Sequence, residues 1–216
     1  MGIPAVFTFA DGDLDGICTA QTTAGAGALA IDGALLDLPA TMRGVTRALI
    51  GGGFQRTVSL KCTADIHTVN VTIVGTDING AAITETRAAP TSNTVFTTAE
   101  FATVTSVTVD AAVGTAMQVG SGTTGTSRWY KFSLWNAGAT AHLAVDVAGT
   151  INFTGQQTSD DVDTDTSPNA IAIAALTTKT ADTDTDLTTF PRAVRVIVNS
   201  STVAAGSLTF TILPQP

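Results

Sequence analysis

Apolar residues alternate with threonine and other small polar residues over most of this chain. Between Ile66 and Val74 the order is Ile-His-Thr-Val-Asn-Val-Thr-Ile-Val, followed by Gly-Thr-Asp-Ile-Asn-Gly and then Ala-Ala-Ile-Thr-Glu-Thr. Successive side chains of a strand point to opposite faces, so this spacing predicts a strand, a tight turn at Asn79-Gly80 and a returning strand. The same pattern predicts strands at Thr57–Leu60, His67–Val74, Ala82–Thr86, Thr94–Phe96, Val104–Val109 and Met117–Val119. Gly51-Gly52-Gly53, Asn79-Gly80, Ala89-Pro90 and Val113-Gly114 are the turn signals between them. Short strands at this spacing are the signature of a sandwich or barrel.

The pattern continues after a small, polar stretch, Ser121-Gly122-Thr123-Thr124-Gly125-Thr126-Ser127, which is expected to be a linker. Beyond it, Tyr130, Phe132 and Leu134 share one strand face, while Trp129, Lys131, Ser133 and Trp135 share the other. Further strands are predicted at Ala141–Val147, Thr150–Thr154, Ala193–Asn199 and Ser207–Leu213, and Ala170–Leu176 reads as a strand or a short helix. At the N-terminus, Val6–Phe9 is β-like, and Asp11-Gly12-Asp13-Leu14-Asp15-Gly16 is an acidic, turn-rich loop. Residues 21–40 are rich in Ala and Gly. Glycines 25, 27 and 33 oppose a helix there, and Leu29-Ala30-Ile31 followed by Asp32-Gly33 reads as a strand entering a turn. The expected fold is all-β. It comprises an N-terminal arm (1–20), a β-sandwich domain of jelly-roll or Ig-like type (21–120), the linker (121–127) and a second such sandwich (128–216).

Composition sharpens this picture. The chain has 216 residues, of which 40 are threonine, a β-branched residue that favours extended backbone and shows a hydroxyl to water. Hydrophobic residues make up 44% and aromatics only 6%, so the core is built from Ala, Val and Ile, which suits thin sandwich cores. The net charge of −8 and a pI near 4.4, with three scattered lysines and no basic stripe, argue against nucleic-acid binding. No apolar stretch approaches the roughly 20 residues of a membrane span. No charged-then-apolar N-terminal leader is evident, so a soluble protein made in a cytosol is expected. Cys18 and Cys62 are too few for a disulfide framework; they pair only if the N-terminal arm folds back, and otherwise are buried or incidental thiols.

Candidate chemistry is sparse. Asp11/Asp13/Asp15, Asp161/Asp163/Asp165 and Asp182/Asp184/Asp186 each alternate carboxylates, and Gly16 completes the opening half of a calcium-loop pattern. The twelfth position of that loop is Thr22, where a bidentate Glu is needed, so solvated loops with turn-capping Asp and Thr are expected and no metal is assigned. His67 and His142 lie in alternating strands without a Gly-x-Ser-x-Gly elbow, and are expected to be polar-face strand positions. Glu85 and Glu100 are the only glutamates, which leaves no paired-carboxylate signal for glycosidase chemistry. Gly51-Gly52-Gly53 lacks the Gly-Lys-Ser/Thr of a phosphate loop and is read as a bend or a subunit contact. Trp129 and Trp135 offer either a sugar-stacking platform or core and subunit packing, with packing preferred. No catalytic, cofactor-binding or metal residues are assigned.

Several phrases stand out along the chain: Gln21-Thr22-Thr23-Ala24-Gly25-Ala26-Gly27, Arg56–Leu60, the run Val71–Thr86 with its Gly-Thr-Asp-Ile-Asn-Gly turn, Val104–Val109, Val113-Gly114-Thr115, Phe153–Asp161 and Pro191–Val196. Together they resemble a family of tailed-bacteriophage virion structural proteins. Relatives often carry Thr-Ser where this chain has Lys61-Cys62. The resemblance covers roughly residues 20–213 and implies a non-enzymatic β-rich particle component assembled in the host bacterial cytoplasm. Its expected roles are a capsid decoration or cement protein, or else a tail, collar or head–tail accessory protein. Its expected partners are other copies of itself, as a trimer or higher oligomer, and the major capsid protein or tail components. No nucleic acid, membrane or cofactor is expected. A carbohydrate- or surface-binding module using the two tryptophans is the alternative from another class.

Overall fold

Alternation dictates strands, and strands are what form. The computed structural model describes residues 5–10, 12–132, 141–187 and 191–214, without the side chains of 203–205 and 214. The chain is almost entirely β, in two antiparallel sheets, with the ladder order of a sandwich. The strands are β1 (Ala5–Phe9), β2 (Cys18–Thr23), β3 (Gly27–Ala28), β4 (Ala48–Leu49), β5 (Phe54–Cys62), β6 (Asn70–Thr76), β7 (Ala82–Ala88) and β8 (Thr94–Phe101). They continue with β9 (Thr103–Val109), β10 (Val113–Ser127), β11 (Tyr130–Lys131), β12 (Ala141–Thr158), β13 (Ile171–Ala172), β14 (Thr183–Leu187) and β15 (Ala193–Pro214). Among the described residues, a helical turn, α1 (Leu38–Thr41), and a 3-10 turn (Ala174–Leu176) interrupt them.

The chain divides into two units assembled from interleaved segments rather than from consecutive halves. One comprises residues 12–51 and 55–123. Its strands β8, β5, β10 and β2 lie side by side, and β3 and β4, β9, β6 and β7 form the other sheet. Val58, Leu60 and Met117 from the first sheet and Val71, Ile73, Val104 and Val107 from the second meet in one core. The inward parity is the one that alternation marks: β6 reads exposed-buried-intermediate-buried from Asn70, with Val71 and Ile73 inside. On the outer face threonines pair across strands, Thr72 with Thr86 at 2.9 Å and Thr76 with Thr103 at 2.7 Å, contacts that contribute about 0.2–1 kcal/mol each.

The other unit comprises residues 1–11, 52–54 and 124–216. Its frame is a long hairpin in which β12 pairs β15 from Ala141↔Pro214 to Thr158↔Ala193. Sequence reading breaks each of these strands in two at Gly149 and near Gly206. The structure carries both through, because Gly149 and Gly206 face each other in the ladder and Gly149 takes the left-handed φ of +75° at a register shift, where a residue with Cβ would be strained. β1 pairs the C-terminal half of β15, β11 its N-terminal half, and β14 and β13 pair the two halves of β12. Phe7, Phe153, Phe210, Leu143, Val196 and Leu176 fill a separate core, and Phe7 stacks on Phe210 at 6.2 Å.

Three local expectations change. Residues 121–127, expected as a linker, form the second half of β10, and Gly125 pairs Val198. The N-terminal segment is not a free arm in its described part, since β1 lies in the ladder beside β15. His67 sits in a turn before β6, because the Asp65 carboxylate accepts the His67 N–H at 3.1 Å and Val69 N–H donates to Ile66 O at 2.9 Å. The ambiguous stretch 170–176 contains both β13 and the 3-10 turn.

Candidate functional site

Polar side chains cluster in a few places, and each is built by local backbone geometry. One is the outer face of β14 and β12. Expected as a loop, the run Asp182–Asp186 instead supplies an edge strand, with His142 opposite Asp186 and Ala144 opposite Asp184. Asp and Thr alternate there with the period of a strand, and the pairing partner overrides the low β-propensity of Asp. His142 Nδ1 lies 2.9 Å from Asp186 Oδ1 and its Nε2 lies 3.7 Å from Asp184 Oδ2. Asp182 accepts the Val147 N–H at 2.7 Å. This places His142 on a polar strand face, as its sequence context suggests, and its partners are carboxylates at an exposed edge.

A second cluster surrounds a surface recess of about 240 Å³ lined by Lys131, Phe132, Asp160, Asp161, Asp163 and Arg192. Asp161 Oδ1 accepts the Asp163 N–H at 3.2 Å and its backbone O accepts from Asp165 at 2.8 Å, so this run is a turn-capping loop. The cations around the recess are paired, Lys131 with Asp163 at 2.6 Å and Arg192 with Asp161 at 3.1 Å.

The first acidic run is a loop fastened to β10. Asp13 O accepts the Ser121 N–H at 2.7 Å, Ser121 Oγ accepts the Asp13 N–H at 3.0 Å, and Gln118 Nε2 donates to Asp15 Oδ2 at 3.2 Å. Partial burial, then a hydrogen bond to Asp15, raises the Asp13 carboxyl above its ordinary range. Asp11 lies outside the described residues. Among the described residues no group of three or more His, Cys, Asp or Glu is arranged to hold a metal ion.

Of the tryptophans, Trp129 is half-buried with the Arg195 guanidinium over its ring at 4.3 Å, and Trp135 lies outside the described residues. One face of Trp129 is therefore already covered by a cation–π contact. Gly52, in the glycine bend, accepts the Thr8 N–H at 2.9 Å and fastens β1. Cys18 and Cys62 are free and buried, and loss of hydration pushes their thiols up to about 12 and about 11. Thiols this hard to ionise are inert packing groups rather than nucleophiles.

Sequence reasoning missed how the carboxylates are used. Glu85 accepts from the Thr98 and Ala99 N–H groups at 2.9 and 2.7 Å, and Asp77 accepts from Asn79 and Ala81 at 2.9 and 2.7 Å. Asp110 holds both the N–H and the side-chain amide of Asn70, and Asp32 holds the N–H and hydroxyl of Thr19. The Asp77 contacts are legible in the sequence, since Asp two residues before Asn-Gly is a turn signal. Those of Glu85 and Asp110 depend on a ladder register that no local pattern encodes. Compared with known proteins, the sequence matches no family model and no curated protein.

Proposed function

We propose that this chain is a non-enzymatic structural protein of a tailed-bacteriophage virion, and that it decorates and cements the capsid shell. The observation that carries the structural half of this reading is the use of the carboxylates. Asp32, Asp77, Glu85, Asp110, Asp160 and Asp182 each accept a backbone N–H, so acidic groups brace strands and turns. Hydrogen bonds to a charged acceptor are the stronger kind. The virion half rests on the resemblance of residues 20–213. Strand edges in such a chain need protection, and symmetric self-assembly, as a trimer or higher, supplies it. The partners in this reading are copies of the chain and the major capsid protein. The second structural reading, a tail, collar or head–tail accessory protein, shares the same fold and differs in copy number.

Protein composition of purified particles tests the proposal. A decoration protein is present in amounts comparable with the major capsid protein, and an accessory protein at a small fraction of that. Particles without the chain would overturn both. The carbohydrate-module reading is tested by a glycan array with Trp129→Ala: binding lost in a folded variant would favour it.

A further inference from the structure

We propose that residues 38–46 form a rigid knob that docks onto the acidic outer face of β14, β12, β15 and β1 in a second copy of this chain, a head-to-tail contact. This rests on the self-assembly reading above and names its surfaces.

The knob exposes what soluble surfaces usually cover. Leu38 is 63% exposed, Met42 89% and Val45 49%, within eight residues of one another. The segment is pre-ordered. Asp37 N–H donates to Arg47 O at 2.9 Å and Arg47 Nε donates to Asp37 Oδ2 at 2.8 Å, closing the neck. The Asp37 carboxylate caps α1 through Ala40 N–H, Pro39 starts the helical turn, and Val45 N–H returns to Ala40 O at 3.0 Å. A loop held in this way loses little conformational entropy on docking.

Charge selects the partner surface. Between residues 38 and 47 the chain carries Arg43 and Arg47 and no carboxylate, in a molecule of net charge −8. A knob-to-knob contact would set Arg43 against its symmetry mate, so a like-with-like dimer is disfavoured and an acidic face is favoured. The ladder builds such a face. Asp186, His142 and Leu213 form one row, and Asp184, Ala144, Thr211 and Val6 the next. Val6 is 55% and Leu213 37% exposed, and the carboxylates of Asp184 and Asp186 stand open at the edge. One side of this face is acidic, through Asp184 and Asp186 on β14, and Leu213 and Val6 expose apolar surface on β15 and β1, which complements an apolar knob with an arginine. Because the two surfaces differ, the contact is heterologous and closes into a ring or propagates.

Sedimentation velocity of the purified full chain at micromolar concentration is the test. The wild type is expected to sediment as an oligomer, and Met42→Glu and Arg43→Glu each to weaken association about tenfold or more. Combining Arg43→Glu with Asp184→Arg and Asp186→Arg is expected to restore it. A wild type monomeric throughout, knob variants that associate like the wild type, or a charge swap that restores nothing would each overturn the proposal. Should Met42→Glu fail to fold by circular dichroism, the Arg43 variant and the swap decide. The readout uses no other particle protein, so absence of the chain from virions would sink the virion reading without touching this one.

Discussion

Glu85 clamps two consecutive backbone donors of β8 from the neighbouring strand β7, with its side chain mostly shielded from water. Glu85→Ala leaves those donors unpaired and is expected to lower stability by about 1–3 kcal/mol in urea denaturation, with Glu85→Gln losing less. The buried thiols respond to alkali in the opposite sense to the carboxylates. Cys18 titrates at about 12 when folded, against about 8.5 for an exposed thiol, so the folded state binds more protons between these values. Stability therefore falls as pH rises from about 8.5, approaching 1.4 kcal/mol per pH unit for this group, and Cys18→Ala is expected to remove that slope. Denaturation at a series of pH values from neutral to alkaline checks it. In acid, Asp110 is held below its ordinary range by hydrogen bonds from Asn70, and Asp37 by its hydrogen bond from Arg47. Their stabilisation is present above about pH 4 and is lost as pH falls through the depressed values, so Asp110→Asn should flatten the acid limb of the stability curve.

At the scale of elements, the hairpin β6–β7 was legible because its alternation is unbroken and its turn holds Asp-Ile-Asn-Gly. The loop is nonetheless five residues, 77–81, closed by Asp77 N–H to Ala81 O, rather than two. β14 was not legible as a strand, since Asp-Thr alternation carries loop composition and only its partner β12 makes it a strand. α1 is a single turn, too short for a 3.6-residue period to show, although Asp37 and Pro39 are its ordinary start signals. Asp37→Ala removes its cap and the neck ion pair together, and is expected to lower the midpoint of chemical denaturation. The glycine bend was visible as a bend, but its task of holding β1 was not. Gly52 has φ +64°, and a Cβ there would fall inside van der Waals contact with Thr8 O. Gly52→Ala is expected to loosen β1, raising amide exchange at residues 5–9, and to destabilise by about 1–3 kcal/mol.

At the scale of the molecule, sequence alternation was enough for the class of fold, because period and β-branching are local properties. The way segments interleave into two units was not, because it depends on which distant strands pair: residues 52–54 join 124–216 while their neighbours on both sides do not. The proposed docking surfaces share that difficulty. The acidic face exists only through the register of β14, β12, β15 and β1, and its four strands come from opposite ends of the chain. A net charge of −8 keeps copies apart at long range, so the proposed self-association relies on local complementarity such as the Arg43 knob, and that local attraction is screened as salt rises.

The proposed role of this chain is that of a structural component of a phage particle, decorating its shell. Imaging the purified particle to a resolution at which side chains are assigned tests it most directly. A decoration protein gives repeated density on the outer surface of the head into which this chain fits, its copies in contact with one another. Density confined to the tail axis or vertex collar would contradict the decoration role, and a fully assigned particle containing no copy of the chain would contradict the claim itself.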